Sequence, residues 1–226
     1  PPSIEDVFVR VHGPSGAATG PVLQANEDGT IRNIHPQVAA APDGGFTVAW
    51  GTNDIETSTC LSRRYHGAWD AVQPLSAAGA FPDVAADSTG DLVLAWAATD
   101  GKKNVWCLPP GGPAYPVGGS DAGFVAVARH PAGPAVVVWH EGGTGDTGRL
   151  RSRFLDAAGQ PAGEVFTVAD GTPWVGAPPG VAISPAGRVL FAWKDLDSGR
   201  IFAQWWADPV VPVSRKSWGS LKGLWR

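Results

Sequence analysis

Asp195 and Asp197 are the acidic pair in this sequence whose spacing comes nearest to a metal site. A D-x-D start is typical of a calcium loop, because carboxylate oxygens are the ligands that Ca²⁺ prefers. No glutamate follows to complete such a loop, so a solvated turn is the competing interpretation. Calcium is therefore the one candidate cofactor, and these two residues are the candidate metal ligands.

Cysteine and histidine give weaker signals. Cys60 and Cys107 are too few for a disulfide scaffold or an all-cysteine zinc site. They fall in neighbouring repeats, and we leave open a single disulfide or two buried thiols. The histidines show no metal-ligand spacing and no Ser or Cys partner, so we assign no role to His12, His35, His66, His130 and His140. The sequence predicts no catalytic residue.

Tryptophan is abundant, with 11 residues, and an exposed indole face can stack on a sugar ring. Four tryptophans end apolar runs at a constant register and are predicted to pack between sheets: Trp50, Trp96, Trp139 and Trp193. The candidate ligand-binding residues are those that the register does not require: Trp69, Trp106, Trp174, Trp205 and Trp206. Their ligand would be a carbohydrate or a protein.

Composition narrows the class of protein. The net charge is −4 and no block of Lys and Arg is present, which excludes the electrostatic footprint of a nucleic-acid binder. No apolar run approaches the roughly 18 to 20 residues that span a bilayer. The 30 glycines and 21 prolines suit short strands joined by many turns, so the sequence predicts an all-β fold.

A repeat runs through the chain and positions these residues. Four segments share a Val-Ala pair, a glycine and a final tryptophan at fixed spacing: Val38 to Trp50, Val84 to Trp96, Val127 to Trp139 and Val181 to Trp193. Each reads as a strand, a tight turn and an apolar returning strand such as Phe46–Trp50. The period, between 40 and 60 residues, is typical of four-stranded propeller blades. We predict a β-propeller, or a segment of one, with about four to five blades.

The predicted boundaries follow from this register. They are a half-blade at 1–34, blades at about 35–80, 81–122, 123–176 and 177–213, and a tail at 214–226. The last blade is expected to contain outer strands Phe202–Trp206 and Val210–Val213. Because the chain begins at Pro1 without a methionine and opens with an outer half-blade, we expect a processed or truncated chain with further blades upstream.

The tail places Trp218, Leu221, Leu224 and Trp225 at helical spacing after Ser217 as an N-cap. This pattern predicts a short amphipathic helix that either packs on the propeller or serves as a sorting or docking signal. Two glycines weaken it as an isolated helix.

The units resemble a tandem repeat of large exported bacterial proteins. Arg153–Val168 matches its first half, R-x-F-D-A-A-G-x-P-x-G-x-E-F-x-V, and Pro36–Trp50 matches its second half, P-x-V-A-x4-G-x-F-V-V-A-W. The resemblance reaches Val213, although the outer halves that contain Tyr65–Ala68 and Leu108–Gly111 depart from it. It implies a propeller-like fold and a secreted or cell-surface location.

Three functions follow as hypotheses. The first is a non-catalytic extracellular propeller that acts as a binding or structural module. The second is a propeller glycoside hydrolase that resembles the sialidases, although their S-x-D-x-G-x-x-W signature is missing and neither Tyr65 nor Tyr115 adjoins a glutamate. The third is a subunit of a larger surface assembly, joined through unpaired blade edges or the tail.

Overall fold

The computed structural model describes residues 5–27, 32–52, 59–76, 78–98, 104–142, 147–174, 176–206 and 216–217. All regular elements in these ranges are β-strands. Within the same ranges, no helix has the length and apolar character needed to cross a membrane.

The strands form one two-stranded ribbon and four antiparallel four-stranded sheets. The ribbon consists of β1 (Phe8–Val9) and β2 (Leu23–Gln24). Sheet 1 contains β3 (Asn33–Ala40), β4 (Phe46–Thr52), β5 (Cys60–Tyr65) and β6 (Gln73–Ser76). Sheet 2 contains β7 (Gly79–Ala86), β8 (Leu92–Ala98), β9 (Val105–Leu108) and β10 (Tyr115–Gly118). Sheet 3 contains β11 (Ala122–Arg129), β12 (Ala135–Glu141), β13 (Thr147–Leu155) and β14 (Pro161–Trp174). Sheet 4 contains β15 (Gly180–Ile183), β16 (Val189–Lys194), β17 (Ile201–Trp206) and β18 (Lys216–Ser217).

The sheets are the blades of a β-propeller. Within each sheet the strands are paired in chain order, and the first strands β3, β7, β11 and β15 lie beside one another in succession. These first strands are therefore the inner strands, and the sheets, here called blades 1 to 4, follow one another around a common axis. The predicted all-β propeller fold is confirmed.

The core tryptophans pack between blades, as the register predicts. Trp50 and Trp139 are 0% exposed, Trp96 is 2% exposed and Trp193 is 3% exposed. Trp139 packs with Val93 and Ala95 of blade 2, and Trp193 packs with Val136 and Val138 of blade 3. The returning strands β4, β8 and β12 are thus covered on both faces, which is why their sequences are apolar without alternation, whereas β16 of the last blade alternates between buried and half-buried residues.

The two ends of the blades differ in how the blades are joined. We call the end with the β3–β4, β7–β8, β11–β12 and β15–β16 turns the hairpin rim. The opposite end is called the cleft rim, after a cleft in blade 3 that is described below. At the hairpin rim, the Asp87 carboxylate lies 2.9 Å from Arg129 Nη2, and the Ser88 hydroxyl donates to the carbonyl of Pro131 at 2.6 Å. His130 Nε2 lies 3.0 Å from the carbonyl of Pro185. Successive turns therefore connect blades 2, 3 and 4.

Two arginines at equivalent positions also join neighbouring units. Arg153 donates to the carbonyl of Val117 in blade 2 at 2.7 Å, and Arg63 donates to the carbonyl of Ala25 in the ribbon at 2.9 Å. The register places Leu108 and Gln204 at this position in blades 2 and 4. The degenerate outer half of blade 2 has therefore lost this link.

Both ends of the chain were only partly predicted. The ribbon packs Val7 and Ala25 against Trp50, like the outer pair of a blade. In blade 4, β18 at Lys216–Ser217 supplies the fourth strand, whereas Val210–Val213 lies outside the described residues. Ser217, the predicted helix N-cap, belongs to β18, where its backbone pairs with Phe202. The rest of the predicted tail helix lies outside the described residues.

Candidate functional site

The five candidate tryptophans lie on all four blades and do not form one site. Trp69 packs edge-on against Phe46 at 5.6 Å, with the Arg63 guanidinium 5.2 Å from its ring. Trp206 packs against Phe166 at 4.3 Å. These two indoles contribute to packing around the inter-blade cores.

The other three differ in their surroundings. Trp205 is half-buried beneath the Arg188 guanidinium, 4.7 Å from its ring, and Trp106 is half-buried on β9 opposite Trp96. The backbone of Trp174 pairs with Thr147 at the cleft rim, and its side chain lies outside the described part. Ligand binding by these residues stays a prediction, and Trp174 is the one placed beside the cleft described below.

Asp195, the first residue of the candidate calcium pair, stabilises a turn of blade 4. Asp195 is 6% exposed, and its Oδ1 accepts hydrogen bonds from the Ser198 amide at 2.8 Å and the Ser198 hydroxyl at 2.6 Å. Asp197 is exposed. In the described ranges, no three His, Cys, Asp or Glu side chains lie close enough together to hold a metal ion. The structure thus shows a capped turn here, and calcium binding stays a prediction.

Cys60 and Cys107 are free, buried thiols on β5 and β9. Of the two alternatives left open by the sequence, the structure therefore has the unpaired thiols and not the disulfide. Burial raises the pKa of each thiol to about 12. Both groups are consequently protonated, weakly nucleophilic and unsuited to metal binding at neutral pH.

The two tyrosines are engaged in packing. Tyr65 stacks on Phe46 with ring centroids 5.1 Å apart, and the Tyr115 hydroxyl donates to the carbonyl of Gly159. Burial, followed by the neighbouring Cys107, raises the pKa of Tyr115. A raised pKa makes a phenol a poorer nucleophile, so the sialidase-like hypothesis gains no support from these side chains.

A cleft of about 400 Å³ lies at the cleft rim of blade 3. Four segments form it: the approach to β11, the end of β12, the start of β13 and the far end of β14. Its lining residues are Ser120, Asp121, Glu141, Gly142, Gly148, Arg149, Asp170 and Gly171. Antiparallel pairing brings these segments together, since β12 ends where β13 begins and where β14 returns.

The cleft presents hydrogen-bond acceptors beside a donor. Glu141 is held in place, because its Oε1 accepts a hydrogen bond from the Ser120 amide at 3.0 Å and its Oε2 lies 3.6 Å from Arg151 Nε. Arg149 and Asp170 form an exposed ion pair at 3.0 Å. Carboxylates accept and guanidinium groups donate, so this wall can bind a ligand rich in hydroxyl groups.

The backbone of the cleft is unusual at one non-glycine position. Asp121 has a φ of 56°, in the left-handed region that aspartate tolerates better than most residues. Its carbonyl accepts a hydrogen bond from the Gly142 amide at 3.4 Å, which connects the approach to β11 with the end of β12. Nothing in the sequence pattern indicated that Glu141 would lie beside Asp121 and Asp170.

Comparison with known proteins supports the propeller fold. No protein-family model matches the chain, and no curated protein matches it. Several solved structures of β-propellers do match this chain. The lectin of the fungus Aleuria aurantia, described as a six-bladed β-propeller with a novel mode of fucose recognition, has a TM-score of 0.57 at 15% identity over 76% of this chain and 55% of the lectin.

Two further solved structures are similar in fold. A neuraminidase-like protein of subtype N10 from A/little yellow-shouldered bat/Guatemala/060/2010 has a TM-score of 0.60 at 9% identity, over 93% of this chain and 62% of its own. A protein of unknown function from Dyadobacter fermentans has a TM-score of 0.60 at 13% identity, over 95% and 72%. This chain spans just over half the length of the lectin, and identities this low establish the propeller fold alone.

Proposed function

We propose that the chain is a non-catalytic propeller module that binds carbohydrate in the cleft of blade 3. The observation that carries this proposal is the wall of Asp121, Glu141, Arg149 and Asp170, which combines hydrogen-bond acceptors and a donor around one concave space. Sugars offer vicinal hydroxyl groups that match paired carboxylate oxygens, and small-ligand sites are concave with a few convergent polar groups.

The comparisons support this proposal by analogy. The Aleuria aurantia lectin is described in complex with Fucα1-6GlcNAc and with α-methyl-L-fucoside. Trp174, which the sequence singled out as a ligand contact, has its backbone opposite Thr147, next to the lining residue Gly148. We further propose a secreted or cell-surface location in a bacterium, with the resemblance of Arg153–Val168 to repeats of exported proteins as support.

Asp170→Asn is expected to weaken glycan binding at least about tenfold, because a hydrogen bond to a charged group contributes about 1.5 to 3 kcal/mol. The side chain of Asp170 is 62% exposed, so the fold should tolerate this isosteric change. The measurement is binding of the purified protein to a printed panel of neutral, amino and acidic saccharides, followed by calorimetric titration with the best ligand.

Asp91→Asn is the matched control, since Asp91 is an exposed carboxylate at the opposite, hairpin rim of blade 2. It should bind like the unsubstituted protein. Failure of the unsubstituted protein to bind any saccharide on the panel would refute carbohydrate binding. Equal affinities of Asp170→Asn and the unsubstituted protein would show that the saccharide does not bind in the cleft.

The ribbon favours an additional role in assembly. Phe8 is 59% exposed and Val22 is 54% exposed, whereas Val7 and Ala25 on the other face are buried against blade 1. We propose that this apolar face packs on a second chain. Light scattering should show association as the concentration rises, and Phe8→Glu should reduce it.

Val38→Glu provides the control for assembly, because Val38 is 58% exposed but lies on the inner strand of blade 1. A monomer at every concentration, or equal loss of association in both variants, would contradict a role of the ribbon face.

A further inference from the structure

Three rings from three different blades meet near the propeller axis. His35 of β3, Phe81 of β7 and Phe124 of β11 have centroid separations of 4.8 Å between His35 and Phe81 and 4.1 Å between Phe81 and Phe124. His35 and Phe124 are 6.1 Å apart. Each ring lies three residues before the Val of the repeated Val-Ala pair, so the repeat itself assembles this axial cluster.

The inner strands leave their regular pairing where these rings project. The register shifts between Ile34 and Gln37 in blade 1, between Ala80 and Asp83 in blade 2, and between Ala122 and Val125 in blade 3. Such bulges redirect side chains and are frequent next to functional sites.

Two of the three ring residues adopt a costly backbone conformation. His35 has a φ of 53° and Phe81 has a φ of 52°, a region that bulky residues rarely occupy. Conformations of this kind persist where the surrounding structure imposes them, and they cluster at ligand sites. The bulges therefore hold the rings in place, although the backbone of His35 and Phe81 adopts an unfavourable conformation.

The axial cluster is more exposed to solvent than the core tryptophans. His35 is exposed and the two phenylalanines are half-buried, whereas the four core tryptophans are at most 3% exposed. Partial burial, followed by the charge of Arg32, lowers the pKa of His35, and Glu5 opposes this only in part. His35 is consequently uncharged at neutral pH, like the two phenylalanines. Three uncharged rings suit contact with the apolar face of a neutral sugar ring.

The axial cluster and the cleft share one rim. Asp121 lines the cleft and precedes Phe124 by three residues on the approach to β11, at most about 10 Å along an extended chain. We propose that the axial cluster is a second subsite, which stacks on a neutral sugar ring of an oligosaccharide whose neighbouring residue is held in the cleft. This inference rests on the proposed carbohydrate binding and adds oligosaccharide length as the basis of selectivity.

Phe81→Gly is the informative substitution. Glycine adopts a φ of 52° readily, so the change removes the ring while relieving the backbone. The probes are the neutral trisaccharide that the panel identifies as the best ligand and its terminal monosaccharide as the methyl glycoside. The unsubstituted protein should bind the trisaccharide about tenfold more tightly than the monosaccharide, and Phe81→Gly should remove most of this difference without weakening monosaccharide binding.

The controls separate this inference from the proposed function. Phe8→Ala removes an exposed phenylalanine outside the axial cluster and should keep the trisaccharide preference. Asp170→Asn should weaken binding of both probes. If Phe81→Gly and the unsubstituted protein prefer the trisaccharide over the monosaccharide equally, the second subsite is refuted, but carbohydrate binding in the cleft is not. Absence of binding to any saccharide would refute both.

Melting temperature distinguishes a ligand platform from a purely structural cluster. Phe124→Ala provides a second variant that leaves the strained position unchanged. Both variants should melt within a few degrees of the unsubstituted protein. A large drop in melting temperature together with an unchanged trisaccharide preference would assign the rings to packing alone and overturn the proposal.

Discussion

Asp87→Ala is expected to lower the free energy of unfolding by about 3 to 5 kcal/mol, because it leaves the Arg129 charge buried without its counter-ion. The side chains of Arg129 and Asp87 are 1% and 6% exposed, and the ion pair joins blade 3 to blade 2. Asp87 also accepts hydrogen bonds from Thr89 and Asp91 in its own turn. Denaturant unfolding followed by tryptophan fluorescence measures the change.

Blade 4 provides the matched control for this ion pair. At the positions equivalent to Arg129 and Asp87 it carries Ile183 and Ser184, and the Ser184 hydroxyl accepts the turn hydrogen bond that Asp87 accepts in blade 2. The double variant Asp87→Ser/Arg129→Ile should therefore recover most of the lost stability. A double variant as unstable as Asp87→Ala would show that the turn, and not the unpaired charge, accounts for the loss.

His140 is expected to make the protein lose about 3 kcal/mol of stability between pH 6.5 and pH 4. The side chain is 1% exposed, and burial lowers its pKa to about 4, outweighing the opposing effect of the Ala177 backbone. Below pH 6.5 the His140 side chain is protonated in the unfolded chain but stays neutral in the folded protein. The free energy of unfolding therefore falls as the pH falls. Below about pH 4 both states are protonated and the loss stops growing.

His140→Phe isolates this effect, since a neutral ring of similar size cannot titrate. Between pH 6.5 and pH 4, the unfolding free energy of the unsubstituted protein should fall by about 3 kcal/mol relative to that of His140→Phe. Asp83 acts in the opposite direction, because burial raises its pKa and its contribution is lost as the pH rises, but this effect is common to both proteins. Parallel curves across this range would contradict a neutral, buried His140.

Much of the fold could be predicted because one physical requirement recurs in every repeat. A strand buried on both faces needs apolar residues throughout, and its tryptophan fills the space between blades, so Trp50 and its three equivalents keep the same register. The turn glycine is equally constrained, since Gly44, Gly90, Gly133 and Gly187 have φ values of 81°, 88°, 109° and 78°.

The candidate site could not be predicted in the same way. Asp121, Glu141 and Asp170 are far apart in sequence and meet because β11 begins, and β12 and β14 end, at the cleft rim. The axial cluster depends on bulges in the inner strands. Nothing in the residue types predicts that Phe81 adopts a left-handed backbone conformation. The repeat also drew attention to the irregular tryptophans, yet Trp69 and Trp206 complete cores that aromatic neighbours already form.

The fold also leaves one thiol in each of its first two complete blades. Both thiols are buried, and with pKa values raised to about 12 they are almost entirely protonated at neutral pH. A thiol reagent can then modify Cys60 only during an excursion that opens blade 1, and Cys107 only during one that opens blade 2. The chain thus carries its own probes of local opening, and their labelling rates compare the blade next to the ribbon with the blade enclosed between two complete neighbours.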